Sequence, residues 1–209
     1  LTSIRGGLGL LKGGAVGEIP QQAREILSIA SDNAESLLLL VNDILDMQKI
    51  ETGELEMEFE KMEVLPFLKQ SIEENKAYAE QYKVNVVLES CDKQLFLNAN
   101  KDRLKQVMAN LLSNAAKFSE TKSTIEGGIG LVNKTMFRGF VKNRGAGIAE
   151  EFRDKIFEKF TQEDGSSGRK YAGTGLGLSI SKAIVEHHHG NIDYISDESS
   201  TTFYFDLPR

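Results

Sequence analysis

The sequence predicts an α+β protein in two parts. An N-terminal helical hairpin assembles into a four-helix bundle dimer, and a two-layer α/β sandwich with a mixed sheet follows. Three observations predict this. Apolar residues recur at helical spacing over about the first fifty positions. The texture changes near Thr52–Gly53 to short alternating runs. Beyond that point helical and strand-like runs are interspersed without strict strand–helix–strand alternation, which favours a mixed sheet with helices packed on it. Residues 1–52 are therefore assigned to the hairpin and residues 53–209 to the second domain.

The hairpin opens with Leu1, Ile4, Leu8 and Leu11 at the spacing of a bundle seam. That pattern is already under way at Leu1, so the chain is expected to be a segment of a longer protein. Gly13, Gly14 and Gly17 end the first helix, and Pro20 suits the first turn of the next. One apolar row then runs Ile26, Ala30, Asn33, Leu37, Leu40, Ile44 and Met47. A second row, Leu27, Ala34, Leu38, Val41 and Leu45, lies beside it. Two rows are wider than one short partner helix can cover, so pairing with a second copy is predicted. The alternative is that the helix lies on the second domain.

In that domain, residues 54–63 alternate Leu55, Met57 and Phe59 with glutamates, the pattern of a half-buried strand. A helix is predicted over 65–82 with Pro66 in its first turn, then strands over 84–89 and 95–98. Asp102 is the predicted N-cap of a helix running to Phe118, with Leu104, Val107, Met108, Leu111, Leu112 and Ala115 as its core face. Strands over 124–133 and 135–141 read as a hairpin, and strands over 191–196 and 201–207 close the chain.

Composition bounds the function. Forty per cent hydrophobic and 27% charged residues describe a globular chain. Twenty-five Lys and Arg against 31 Asp and Glu leave a net charge of −6, which argues against general attraction to nucleic acid or an anionic membrane. One cysteine, Cys91, excludes an internal disulfide framework and reads as a small residue near a strand end. No run of 18 apolar residues is present, and no secretory leader is visible.

Four stretches carry chemistry. Asn110, Asn114 and Lys117 fall at i, i+4 and i+7 on the shoulder of their helix. Amide oxygens can bind a hard cation and an ammonium can meet phosphate, although a solvated face has the same spacing. Asn143 precedes Gly145, Gly147 and Ile148 at a strand end, where glycines let a flat ring approach backbone. Phe152, Ile156, Phe157 and Phe160 then line one side of a short amphipathic segment. The polar, small-residue run from Thr161 to Gly173, which contains Arg169 and Lys170, reads as a mobile flap. Finally Gly173, Thr174, Gly175, Leu176, Gly177 and Leu178 run into a helical pattern, either an anion cradle or a tight loop-to-helix turn. No G-x-x-x-x-G-K-[ST] motif is present.

NLLSNAAKFS, GAGI, IFEKFTQ and GTGLGLSISKAIVE occur in that order. Together they resemble the asparagine, first glycine, phenylalanine and second glycine boxes of sensor histidine kinases, which share a Bergerat-type ATP-binding fold. LTSIRGGLGLLKGG and LLLLVNDILDMQKIETGELEME resemble that family's dimerisation and histidine-phosphotransfer hairpin. The resemblance implies Mg²⁺ on Asn114 with Asn110 in support, and Lys117 on phosphate. It implies Phe118, Asn143, Gly145, Gly147 and Ile148 around adenine, and Phe157 with Phe160 anchoring the flap. Arg169, Lys170 and the run Gly173, Thr174, Gly175, Leu176, Gly177 and Leu178 would wrap the phosphates of ATP. It further implies a cytoplasmic homodimer that passes phosphate to a response-regulator receiver domain, within a protein that can be membrane-anchored elsewhere.

Two departures qualify it. The family's acceptor stretch, of the form H-E-L-R-T-P, would immediately precede Leu1 and is absent from these residues, so autophosphorylation of this chain is not expected. His187, His188 and His189 end the last helix, point about 100° apart from one to the next, and suit the helix C-terminus as cations better than a shared metal. Asn143 stands where the family has an adenine-binding aspartate. The rival expectation is accordingly a pseudokinase or dimeric docking module with weak or no ATP binding. An ATPase or chaperone of the same superfold would need an acidic residue beside the asparagine helix to activate water, where Lys105, Gln106 and Asn110 stand instead.

Overall fold

Helix α1 (Thr2–Lys12) turns through the Gly13–Gly14 pair and packs against α2 (Gln21–Glu51), a 31-residue helix. The computed structural model describes residues 2–15, 17, 19–55, 57–91, 95–162 and 173–209. Pro20 stands just outside α2 rather than in its first turn, because its ψ of 151° is extended. Ile26, Leu37, Leu40, Ile44 and Leu45 are exposed along α2, whereas Leu27, Ala30, Ala34, Leu38 and Val41 are partly buried, so much of the first predicted row and the end of the second face outward within one chain. Its last turns behave differently: Met47 and Ile50 pack on the core of the second domain. The last turns thus follow the alternative expectation, a helix lying on the second domain.

The second domain has a five-stranded sheet in the order β2-β4-β5-β7-β6, formed by β2 (Asn85–Cys91), β4 (Thr124–Leu131), β5 (Met136–Arg144), β7 (Ser200–Pro208) and β6 (Asn191–Ser196). Only β2 and β4 are parallel, so the sheet is mixed as predicted. A separate antiparallel pair joins β1 (Glu60–Glu63) to β3 (Phe96–Ala99). The strand predicted over 54–63 is therefore confined to its last four residues. Its partner β3 has only four residues, Glu60 already pairs with Ala99, and none of the described residues from 54 to 59 joins a ladder. Phe59 is correspondingly 42% exposed.

Helices α3 (Val64–Gln81), α4 (Lys101–Phe118) and α5 (Gly177–His187) pack side by side on the sheet. Phe67 and Leu68 of α3, Leu104, Met108 and Leu111 of α4, and Ile180 and Ile184 of α5 are buried with Ile125, Phe137, Val141 and Phe205 of the sheet. Each such side chain is worth about 1.5–3 kcal/mol on burial, which makes this layer contact the main stabilising term. The N-cap of α4 is Asn100 rather than Asp102: its side chain accepts from Arg103 N–H at 3.0 Å, and Asp102 falls in the first turn.

The end of α5 corrects a second expectation. His188 is 3% exposed and is no surface cation. Its Nδ1 lies 2.8 Å from Ile184 O and its Nε2 accepts from Asn100 N–H at 3.0 Å, which fixes the neutral tautomer protonated on Nδ1. Burial pushes its pKa down from the ordinary imidazole value. Phe59 packs edge-on against the ring at 4.9 Å. No described helix is long and apolar enough to cross a membrane.

Candidate functional site

The shoulder of α4 faces the start of α5. Asn110 Nδ2 donates to Gly177 O at 3.0 Å and to Ser181 Oγ at 3.2 Å, tying the two helices together and leaving Oδ1 as its remaining ligand atom. One turn on, Asn114 is half-buried and its side chain makes no hydrogen bond among the described residues. A further turn on, burial lowers the pKa of the Lys117 ammonium, which has no ion pair among the described residues. A Cβ built on Gly173 would lie 3.7 Å from Lys117 Nζ. The polar stripe thus touches both ends of the glycine run, Asn110 at Gly177 and Lys117 at Gly173. A solvated face would show neither contact.

The glycine run itself is a turn feeding a helix. Gly175 has φ +71°, and a Cβ there would meet Phe160 Cα at 2.8 Å, so a side chain is excluded twice over. Phe160 N–H donates to Gly175 O at 2.9 Å. Thr174 Oγ1 accepts from Leu176 N–H at 3.2 Å. Leu176 is buried in the core, whereas Leu178 is only partly buried against it. Gly177 opens α5, whose first N–H groups have no partner within the helix and make a favourable place for an anion.

Beside the C-terminal end of α4 lies the second wall. Asn143 is 4% exposed, sits on β5 opposite Thr201, and its Nδ2 lies 3.5 Å from Phe118 O. The ring of Phe118 is itself largely exposed. Ile148 N–H donates to Ser196 Oγ at 3.0 Å, and its side chain packs on the core. Gly145 and Gly147 answer to the chain's own backbone: a Cβ on the first would collide with the Phe118 carbonyl and on the second with the Asp197 carbonyl. The close approach predicted for a ligand ring is in fact made by protein.

Phe157 packs against Phe203 and Tyr194 with ring centroids at 6.4 Å from each. Phe160 is 68% exposed with φ +61°, so its ring anchors nothing among the described residues, and its link to the glycine run is main-chain. Arg169, Lys170 and most of the predicted flap lie outside the described residues. No three His, Cys, Asp or Glu side chains among the described residues are placed to share a metal. A cation held here would draw on the amide oxygens of Asn110 and Asn114 and on oxygens of a bound anion.

Sequence reasoning missed two carboxylates of α2. Asp43 Oδ2 accepts from Thr174 Oγ1 at 2.7 Å. Asp46 accepts from Arg103 Nη1 at 2.9 Å and from Gln106 Nε2 at 2.7 Å. Between α2 and α4 a cavity of about 420 Å³ is lined by these two aspartates with Asn42, Lys49, Gln106 and Asn110 among others. The signal available was a pair of acids at i and i+3 on an otherwise apolar helix face.

Comparison with known proteins places two family descriptions on the chain. "Histidine kinase-, DNA gyrase B-, and HSP90-like ATPase" matches residues 99–209, and "His Kinase A (phospho-acceptor) domain" matches residues 1–53. The circadian input-output histidine kinase CikA of Synechococcus elongatus is 34% identical over 92% of this chain and 26% of its own length. The sensor histidine kinase WalK of Bacillus subtilis is 31% identical over all of this chain and 34% of its own. The chain therefore spans about a quarter to a third of these relatives. Among solved structures, full-length ShkA in complex with AMPPNP superposes with a TM-score of 0.77 at 23% identity, over 99% of this chain and 43% of that one. Histidine kinase ThkA in complex with response regulator TrrA gives 0.71 at 23%, over 98% and 58%. At that identity the likeness is one of fold.

Proposed function

The chain belongs to the histidine kinase-, DNA gyrase B- and HSP90-like ATPase family, with the sensor histidine kinases as its relatives, and from that premise we propose that it binds Mg²⁺-ATP between α4 and the glycine run. The observation that carries the reading is the half-buried Lys117 ammonium, which has no ion pair among the described residues and faces Gly173 while Asn110 holds Gly177. A cation kept out of water without a carboxylate is costly unless an anion completes it.

The residues present fit such a ligand. The start of α5 and Lys117 would meet the phosphates, and Asn114 with the Oδ1 of Asn110 would hold the Mg²⁺, which would supply charge neutralisation at the phosphoryl group. Asn143 offers its amide oxygen to the base while its NH₂ faces the Phe118 carbonyl. The γ-phosphate then passes to a histidine and onward to a receiver aspartate. Positioning and charge neutralisation supply most of the acceleration. The three histidines among these residues all end α5, so the acceptor is proposed to lie outside them. The exposed Ile26, Leu37, Leu40 and Ile44 of α2 support a homodimer through the hairpin, and the fold shared with a kinase solved alongside a response regulator supports a receiver partner.

Calorimetric titration tests the site: Mg²⁺-ATP binds the chain and binds Asn114→Ala at least tenfold more weakly. Labelled γ-phosphate appears in acid-labile form only when a hairpin bearing an acceptor histidine is added. Acid-labile label on the 209 residues alone, or equal affinity in the two proteins, refutes the reading. One observation favours the second reading, a docking module with an emptied base pocket: the buried group at the base is a neutral amide. Absence of any nucleotide binding to the chain, restored by Asn143→Asp, would establish it.

A further inference from the structure

The hydroxyl at the heart of the glycine run is held by the other domain. Thr174 Oγ1 donates to Asp43 Oδ2 of α2 at 2.7 Å while accepting from Leu176 N–H, one of the amides at the mouth of the anion cradle. A negative carboxylate therefore stands one hydroxyl away from an amide of the glycine run. Asp46, one turn along α2, clasps Arg103 and Gln106 of α4 and fixes the helix in this position. Lys159 and Glu51 add a third contact between the domains.

We propose that Asp43 is a charged latch: while it holds Thr174, the docked hairpin opposes a nucleoside triphosphate at the cradle, and a bound triphosphate opposes docking. This rests on the reading of the glycine run as a nucleotide site. The carboxylate carries its charge in a half-buried place beside a second acid. Half-burial raises its pKa above the ordinary carboxylate value, the Thr174 hydroxyl counteracts that rise, and neighbouring Asp46 adds to it. Linkage makes the effect reciprocal: whatever docking costs nucleotide affinity, nucleotide costs docking.

The test uses Asp43→Asn, with Asp32→Asn as a control that removes an exposed charge from the same helix. Titrating ATP and ADP, Asp43→Asn binds ATP on the order of tenfold tighter than the parent and ADP less so, since charge at the outer phosphates is what the carboxylate opposes. Asp32→Asn matches the parent. Docking is read separately by energy transfer between labels on Glu35→Cys and Lys182→Cys in a Cys91→Ser background, diluted into unlabelled protein. The distance lengthens on adding ATP to the parent and is already long in Asp43→Asn. Equal gains for ATP and ADP, a gain in Asp32→Asn as well, or a distance indifferent to ATP overturns the latch. If neither protein binds nucleotide, the nucleotide reading of the site fails. The label distance then decides the latch by itself: no difference between parent and Asp43→Asn overturns it.

Discussion

Asn143→Asp separates what a residue does for the protein from what it does for a ligand. In the free chain its amide nitrogen lies 3.5 Å from the Phe118 carbonyl, and the side chain is 4% exposed. A carboxylate there loses that donor and faces a carbonyl oxygen while shut away from water. Leaving a buried polar group unsatisfied costs about 1–3 kcal/mol, and more if it is charged. For a chain of this length each kcal/mol lowers Tm by about 2–4 °C, so the free variant should melt roughly 2–12 °C lower. Toward an adenine amino group the sign reverses. A charged acceptor exceeds a neutral one by about 1–2 kcal/mol, which is roughly five- to thirtyfold in affinity. Thermal denaturation with and without Mg²⁺-ATP, paired with calorimetric titration, reads both effects on one sample. The variant should be less stable alone and gain more from ATP. If it melts with the parent in the absence of nucleotide and binds ATP no tighter, Asn143 does not face the base.

Three further outcomes are expected. Lys117→Met removes a half-buried cation with no ion pair among the described residues, so the free protein keeps or gains stability by up to about 1 kcal/mol while ATP affinity falls at least tenfold; calorimetry with a parallel melt checks both. Asn110→Ala deletes the bonds to Gly177 O and Ser181 Oγ and should cost about 1–3 kcal/mol in urea unfolding without nucleotide. The third concerns pH. The folded pKa of His188 is depressed, so its stabilising contribution is complete above the unfolded value near 6.5 and declines as pH falls toward the folded value. Urea melts at pH 7.5 and 5.5 should show that loss, at a slope of up to about 1.4 kcal/mol per pH unit, and His188→Leu should abolish this component.

The helices and strands of the second domain were legible because their patterns are local. Leu104, Val107, Met108 and Leu111 announce the buried face of α4 by spacing alone, and they are all buried. The stripe of Asn110 and Lys117 was legible for the same reason, since i, i+4 and i+7 follow from one helix. What failed needed a partner far along the chain. The alternation before Glu60 promised a strand, but strand formation needs a neighbour, and β3 is too short to supply one. Asn100 is the cap in place of Asp102 because its side-chain oxygen accepts from Arg103 N–H, while its backbone N–H meets His188, a contact spanning 88 positions. The same contact turned a run of three histidines into one buried, neutral imidazole, which no local rule foresees.

The glycines carry that distinction into the site. Spacing alone suggests that Gly145, Gly147 and Gly175 clear room for a ligand, and each proves necessary to the chain itself, against Phe118, Asp197 and Phe160. The two demands are compatible because one supports the other. Pressing the Gly145 turn onto the Phe118 carbonyl brings the end of β5 to the end of α4, and this sets Asn143 beside the helix that carries Lys117. At the other side, Gly175 lets the chain leave Phe160 and enter α5, whose first carbonyl Asn110 then holds. The proposed base wall and phosphate wall are thereby both referred to one element, α4. The hairpin reaches that element too, through Asp46 to Arg103 and Gln106, and reaches the glycine run through Asp43. A helix that packs on the core at Met47 and Ile50 while its carboxylates hold the cradle cannot shift without changing what the cradle presents to an anion.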